Sequence, residues 1–261
     1  MTTAAGPDLF IAIATTAARV ATLNLARLPP QTGVEYRIFV QCEGAEPAVA
    51  AHSAQALARD DIRVIPTDGH GAARNRNAAL RQIDGAVLLF ADDDLILDLN
   101  GIAALRAQIA AAPVVDFFCA RLLDGVHRSP KRYAPDGTAV RWYNCGKVGT
   151  PELALRPARA RAAGLRFDES FGAGTPNWLG DEYIFLCDAL RAGLQGRHVA
   201  VDIGVHPADS SGLAKGAAAM AVRRKVLVRA LGRWRGMPAR WAFALRHRRD
   251  FPNLASFLRF L

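Results

Sequence analysis

Asp92, Asp93 and Asp94 follow directly on the run Ala86-Val-Leu-Leu-Phe-Ala91, so a buried strand would deliver three carboxylates to one point. Like charges that close repel and raise one another's pKa unless a cation sits among them. Oxygen-only ligands suit a hard divalent ion such as Mg²⁺ or Mn²⁺, which keeps positions open for phosphate oxygens and so points to a nucleoside diphosphate. A solvated turn or a helix N-cap cluster would use the same three residues without a metal. A second acidic pair, Asp181-Glu182, follows Gly180 at the start of a helical pattern, where free N–H groups and the helix dipole favour carboxylates whatever their task.

These groups need a frame. Leu9–Ala14 reads as a first strand, followed by a stretch with helical spacing that reaches Leu28 before Pro29 and Pro30 stop it. Strands are expected at Tyr36–Val40, Ile62–Ile65 and Ala86–Phe90, with helices over residues 47–59 and 72–83 between them. Continuous apolar strands separated by helices predict βαβ units and a mostly parallel central sheet covered on both faces, an α/β fold. In such sheets ligands bind beyond the carboxyl ends of the strands, where Thr15, Glu43, Gly71 and the aspartate triplet fall. Beyond Leu95 the pattern predicts a helix at Ile102–Ala111 and strands at Val114–Cys119, Val140–Tyr143 and Leu153–Leu155. A short helix at Arg156–Ala163, a helix at Trp178–Ala192 and a strand at His198–Ile203 complete it.

The chain has 261 residues, enough for one large α/β domain and an appendage. Cys42, Cys119, Cys145 and Cys187 lie tens of residues apart with no C-x-x-C pair, so neither a zinc site nor a disulfide framework is indicated and a reducing cytoplasm is expected. The first residues lack the basic start of a signal peptide, and no window reaches the roughly 18 apolar residues a membrane span requires. The net charge of +9 is uneven: from Ser211 to Leu261 twelve Lys and Arg face Asp250 alone, a balance of +11, which leaves −2 for residues 1–210. A domain over 1–210 and a basic helical C-terminal extension over 211–261 are therefore expected.

Gly71-Ala-Ala-Arg-Asn-Arg76-Asn77-Ala-Ala-Leu80, Gly85 to Asp94, Phe167-Asp-Glu-Ser-Phe-Gly172, Gly180-Asp-Glu-Tyr-Ile-Phe185 and Gly193 occur in this order. Together they resemble the family 2 inverting glycosyltransferases of the GT-A fold, over about residues 9 to 206. The resemblance implies a Rossmann-like nucleotide-diphospho-sugar transferase fold and an enzyme moving a sugar from a nucleotide donor, by default a UDP-sugar, to a glycan or glycolipid acceptor.

Carried over, it implies that Asp92 and Asp94 end the D-x-D motif and hold a divalent metal (Mg²⁺ or Mn²⁺) on the donor's two phosphates, while Asp93 contacts the ribose or supports the neighbouring loop. Arg76 would reach the nucleotide or its pyrophosphate, a task that suits a permanently charged fork; the alternative is a surface arginine. Asn77 would be structural. Thr15 would meet base and ribose, or simply cap a helix. The family's aspartates at the end of the second strand are replaced here by Gln41-Cys42-Glu43-Gly44, so Glu43 would substitute from a shifted position. In the family the helix opens Glu-Asp and the second acid is the general base. Here the order is reversed, Glu182 takes that position, and Asp181 is the other candidate. His206 would be a third metal ligand or a phosphate contact, and Trp178 an acceptor-stacking surface, although large aromatics are first of all core material.

In the extension, Trp234, Trp241, Phe243, Phe251 and Phe257 are interspersed with arginines, which suits peripheral contact with an anionic membrane at the inner face of the cell. A helical appendage packed on the domain and nucleic-acid binding are the rivals. For the whole chain the alternatives are a sugar nucleotidyltransferase, although Ala14-Thr15-Thr16-Ala17 has none of the usual glycine- and lysine-rich phosphate loop, and a non-catalytic docking protein.

Overall fold

The computed structural model describes residues 7–42, 47–206 and 216–261. Eight strands form one sheet in the order β3-β2-β1-β4-β7-β6-β8-β5. Its parallel half consists of β1 (Leu9–Thr16), β2 (Val34–Cys42), β3 (Ile62–Asp68) and β4 (Val87–Asp92), with β1 central and paired in parallel to both β2 and β4. The other half is mixed. β7 (Leu153–Leu155) runs antiparallel between β4 and β6 (Phe117–Leu123), β8 (Gly196–Val205) runs parallel to β6, and the two-residue β5 (Ile96–Leu97) lies antiparallel on β8.

The sheet is buried on both faces, as the unbroken apolar strands predict. Along β1, Leu9, Ile11 and Ile13 enter one core, whereas Phe10 and Ala12 enter the other. The first core is closed by α1 (Ala17–Val20), the turn after α2 (Pro47–Ala56) and α4 (Leu99–Ala110) through Val20, Leu57, Ile102, Leu105 and Ile109. The second is closed by α3 (Ala72–Gln82), α5 (Pro157–Ala162), α6 (Asp181–Arg191) and α7 (Ala217–Leu231). α7 supplies Val222, Val226 and Ala230 to this core, so the first helix of the basic extension is built into the layer that carries α6. α8 (Met237–Arg246) and α9 (Leu254–Phe260) fold around a smaller cluster of Met220, Ala244 and Phe260.

Two expectations are corrected. The helix to Leu28 is one turn at Ala17–Val20: β1 continues through the β-branched Thr16, and Asn24 then caps a 3₁₀ turn at Leu25–Arg27 by accepting from Ala26 N. No strand forms at Val140–Tyr143. Asn144 ties this segment into a turn, its Oδ1 accepting from Arg141 N at 2.7 Å and its Nδ2 donating to Ala139 O at 3.0 Å. Only Val140 of the four is buried; Trp142 and Tyr143 are exposed.

Candidate active site

The ends of β1 and β4 are adjacent, with Ala14 opposite Asp92, so the turn that follows brings the aspartate triplet beside Thr15. Thr15 Oγ1 donates to Asp93 Oδ2 at 2.6 Å, and Arg19 pairs with Asp93 Oδ1 at 2.5 Å. Asp93 is therefore turned toward β1 and held there. Burial pushes its carboxyl up, and the charges of Asp94 and Asp92 add to that, against the lowering effects of Thr15 and Arg19.

Asp92 and Asp94 point the other way, to His206 at the end of β8. His206 Nε2 lies 3.6 Å from Asp92 Oδ2 and 3.4 Å from Asp94 Oδ1, and ligand atoms of all three residues fall within 4.8 Å of one another. Asp92 is the last residue of β4, and Asp93 and Asp94 form the turn after it, which separates their directions. Asp94 Oδ1 is sealed from solvent and accepts no hydrogen bond. A buried anionic oxygen whose nearest donor, His206 Nε2 at 3.4 Å, makes no hydrogen bond to it is poorly satisfied, and a cation between it, Asp92 and His206 would satisfy it. Two carboxylates and an imidazole are a donor set a divalent ion such as Mn²⁺ can use. Burial raises the Asp92 carboxyl, but the His206 hydrogen bond and the nearby charges of Arg76, His206 and Arg19 outweigh it and leave the group below the usual carboxylate range.

Arg76 is buried on α3. Its guanidinium donates to Asp181 Oδ2 and stands 3.6 Å from Asp92 Oδ1, with its Cζ 5.8 Å from the Phe167 ring centroid. Arg76 is thus engaged with two carboxylates, one of them in the aspartate triplet. Asp181 is only 3% exposed, whereas Glu182 beside it is partly open to solvent. Burial, reinforced by the charge of Asp181, pushes the Glu182 carboxyl up to about 8. The local backbone is specific: Gly172 and Gly180 both have positive φ, and a Cβ would meet Asp181 Cγ at 2.7 Å from the first and Val226 Cγ2 at 2.6 Å from the second. Trp178, two residues before Gly180, is half-buried against the second core. Glu43 lies outside the described residues.

Two contributors escaped the sequence reading. Asn75 is buried, donates from Nδ2 to Thr15 O at 3.2 Å and Phe39 O at 2.9 Å, and accepts from Thr67 Oγ1, so it clamps the carboxyl ends of β1, β2 and β3. Its place in Arg74-Asn75-Arg76-Asn77 is the signal the sequence offers for it. Asn77 is structural, holding the Phe167 backbone through Phe167 N to Oδ1 at 2.7 Å and Nδ2 to Phe167 O at 3.0 Å. The second, Arg19, stands four residues beyond Thr15 and gave no signal of its own.

The family model described as glycosyl transferase family 2 matches residues 36–188, more than half of the chain. No curated protein matched the sequence. Among solved structures, S. aureus TarS 1–349 in complex with UDP-GlcNAc superposes with a TM-score of 0.62 at 16% identity, covering 85% of this chain and 66% of that one. The mannosyltransferase PcManGT from Pyrobaculum calidifontis, in complex with GDP-Man and Mn²⁺, superposes with a TM-score of 0.54 at 15% identity, covering 93% and 65%. At these identities the likeness carries the fold, and the chain spans just under two thirds of the length of either.

Proposed function

Since the chain belongs to glycosyl transferase family 2, we propose that it transfers a sugar, with inversion, from a nucleoside diphosphate donor to a hydroxyl of a glycan or lipid-linked acceptor, and that a divalent ion assists. The observation that carries the metal dependence is the convergence of Asp92, Asp94 and His206 around a buried, unbonded carboxylate oxygen. An ion held there supplies Lewis-acid stabilisation of the charge that grows on the departing diphosphate. Neighbours solved with UDP-GlcNAc and with GDP-Man leave the base open, and a uridine donor is the default.

Glu182 takes the acceptor's proton. It is the partly open member of the acidic pair, while Asp181 is buried and committed to Arg76. As the acceptor oxygen forms its bond to the anomeric carbon, the bond from that carbon to the phosphate oxygen breaks, and the hydroxyl proton passes to Glu182. Arg76 is a positioning residue that fixes Asp181 next to Glu182 and faces Asp92 on the metal side. Thr15 and Asp93 form the wall on which base and ribose would rest, and Trp178 a surface on the acceptor side. Residues 1–210 carry the proposed catalytic groups, with α7 of the extension packed beneath the acid-bearing helix as part of the same core.

Calorimetric titration with UDP and GDP, each with and without Mn²⁺, tests this reading, followed by release of nucleotide from a panel of nucleotide sugars. Metal-dependent binding of one nucleotide is expected. Metal-independent binding removes the ion from the proposal, and no binding removes the proposed donor site.

A further inference from the structure

Helix α8 turns an apolar face to solvent. Pro238, Trp241, Ala242 and Leu245, spaced i, i+3, i+4 and i+7, are all exposed, while the inward face carries the buried Ala244 and the partly buried Phe243 together with Arg240, which is 2% exposed. A surface helix of a globular domain keeps its apolar residues inside and shows polar ones to solvent. Arg240 is held by donating from Nε to Leu261 O at 3.0 Å and from Nη2 to Arg233 O at 2.7 Å.

The apolar face does not end with α8. Trp241 packs beside Phe257 of α9 with ring centroids 6.1 Å apart, and α9 leaves Leu254 and Leu258 exposed by 72% and 58%. Trp234, in the turn before α8, is 72% exposed. Five large apolar side chains thus face solvent within 25 residues, a concentration that needs a partner. The rim is cationic. Arg233, Arg235, Arg246, Arg248, Arg249 and Arg259 are all exposed, and the only acid after residue 216, Asp250, is tied to His247 at 3.1 Å.

We infer that α8, α9 and the turn at Trp234 dock on a bilayer surface bearing anionic lipid, with the tryptophans and leucines set into the headgroup boundary and the arginines on the headgroups. Charge selects the occupant. A second copy of this chain would bring the same arginine rim against itself, with one acid to offset it. A nucleic acid would meet the arginines but leave Leu245, Leu254 and Leu258 in water, since phosphate contacts and base stacking do not cover aliphatic side chains. A lipid interface takes both features at once. Among the described residues no helix is long and apolar enough to cross a membrane, so the contact is with the surface. The inference goes beyond the donor chemistry and does not rest on it.

The test is vesicle co-sedimentation of the full chain, without nucleotide, on phosphatidylcholine alone and on phosphatidylcholine with about 30% phosphatidylglycerol. Binding at least about tenfold tighter to the anionic vesicles and weakened by salt is expected, with tryptophan fluorescence quenched by brominated acyl chains. Trp234→Ser with Leu245→Ser should lose at least about tenfold in vesicle affinity at unchanged melting temperature, and Arg246→Glu with Arg249→Glu likewise. Equal binding to both vesicles, no binding, binding without quenching, or variants that bind as the parent does would overturn the inference. So would a dimer in sedimentation that these substitutions dissolve, or RNA binding with no vesicle binding. Nucleotide titration on the same preparation reports separately on the donor site.

Discussion

The guanidinium of Arg76 and the carboxylate of Asp181, 105 residues apart in the chain, meet in the interior, and the same guanidinium lies 3.6 Å from Asp92. One buried cation thus links the strand end that carries the aspartates to the helix start that carries the acidic pair. Removing one partner of a buried pair leaves a charge uncompensated and costs about 3–5 kcal/mol. Arg76→Met is therefore expected to lower the melting temperature by roughly 6–20 °C. Asp181→Asn in that background should cost far less than in the parent. Additive losses in the thermal cycle would show that the two groups do not depend on each other.

Glu182 is the group we propose to set the pH response of activity. If it is the base, kcat/KM of the free enzyme should climb with pH and level off near its value of about 8. Glu182→Gln should lose on the order of 10²–10⁴-fold in turnover while keeping nucleotide affinity. A parent profile flat from pH 6 to about 9 would assign the proton elsewhere.

The same group makes a separate statement about stability. Its folded pKa is raised from 4.5 to about 8, so the folded state holds the proton more tightly than the unfolded chain does. That contribution is complete below about pH 4.5 and is lost as pH climbs toward 8. Glu182→Gln should match the parent's melting temperature at the acid end and exceed it by a few degrees at the alkaline end. Thermal scans across the range check the sign.

Loss of Asp94 should be felt as loss of metal. Disturbing an outer-shell partner already costs about 10–100-fold in metal affinity, so Asp94→Asn should weaken Mn²⁺ binding in the presence of UDP by at least about tenfold. His206→Ala should do the same. Titration calorimetry that finds either variant unchanged would remove that residue from the ligand set.

Gly180→Ala and Gly164→Ala form a matched pair. Both positions have positive φ, but a Cβ at 180 collides with Val226 whereas at 164 nothing lies within 4 Å. Gly164→Ala should cost about 1 kcal/mol and Gly180→Ala about 1–3 kcal/mol more. Urea midpoints measure the difference, and a fall in turnover is expected at position 180 alone.

The strands and helices that carry the site were legible because their signals are local. The run from Val87 to Asp92, the Gly180-led helix and the late strand that leads into His206 each follow from an apolar pattern and its stop. The failures were long-range or side-chain driven. Nothing in Val140–Tyr143 announces that Asn144 will tie the segment into a turn, and nothing in the alanines after Thr16 says that the helix stops at Val20. Arg76 could be placed near the aspartates, but that two carboxylates would occupy its fork depends on α6 arriving from another part of the chain. Arg229 read as one more tail cation, whereas it pairs with Asp168 at 2.7 Å and Asp188 at 3.1 Å.

Val226 occupies the space that a side chain at residue 180 would need, so α7 is the floor on which the acidic pair stands. Shortening the chain at its change of composition would not yield a smaller working enzyme. It would uncover the part of the second core that Val222, Val226 and Ala230 fill and loosen the backbone at Gly180 that leads into Asp181, so the proposed proton acceptor would lose its bearing even with every residue of the chemistry still present.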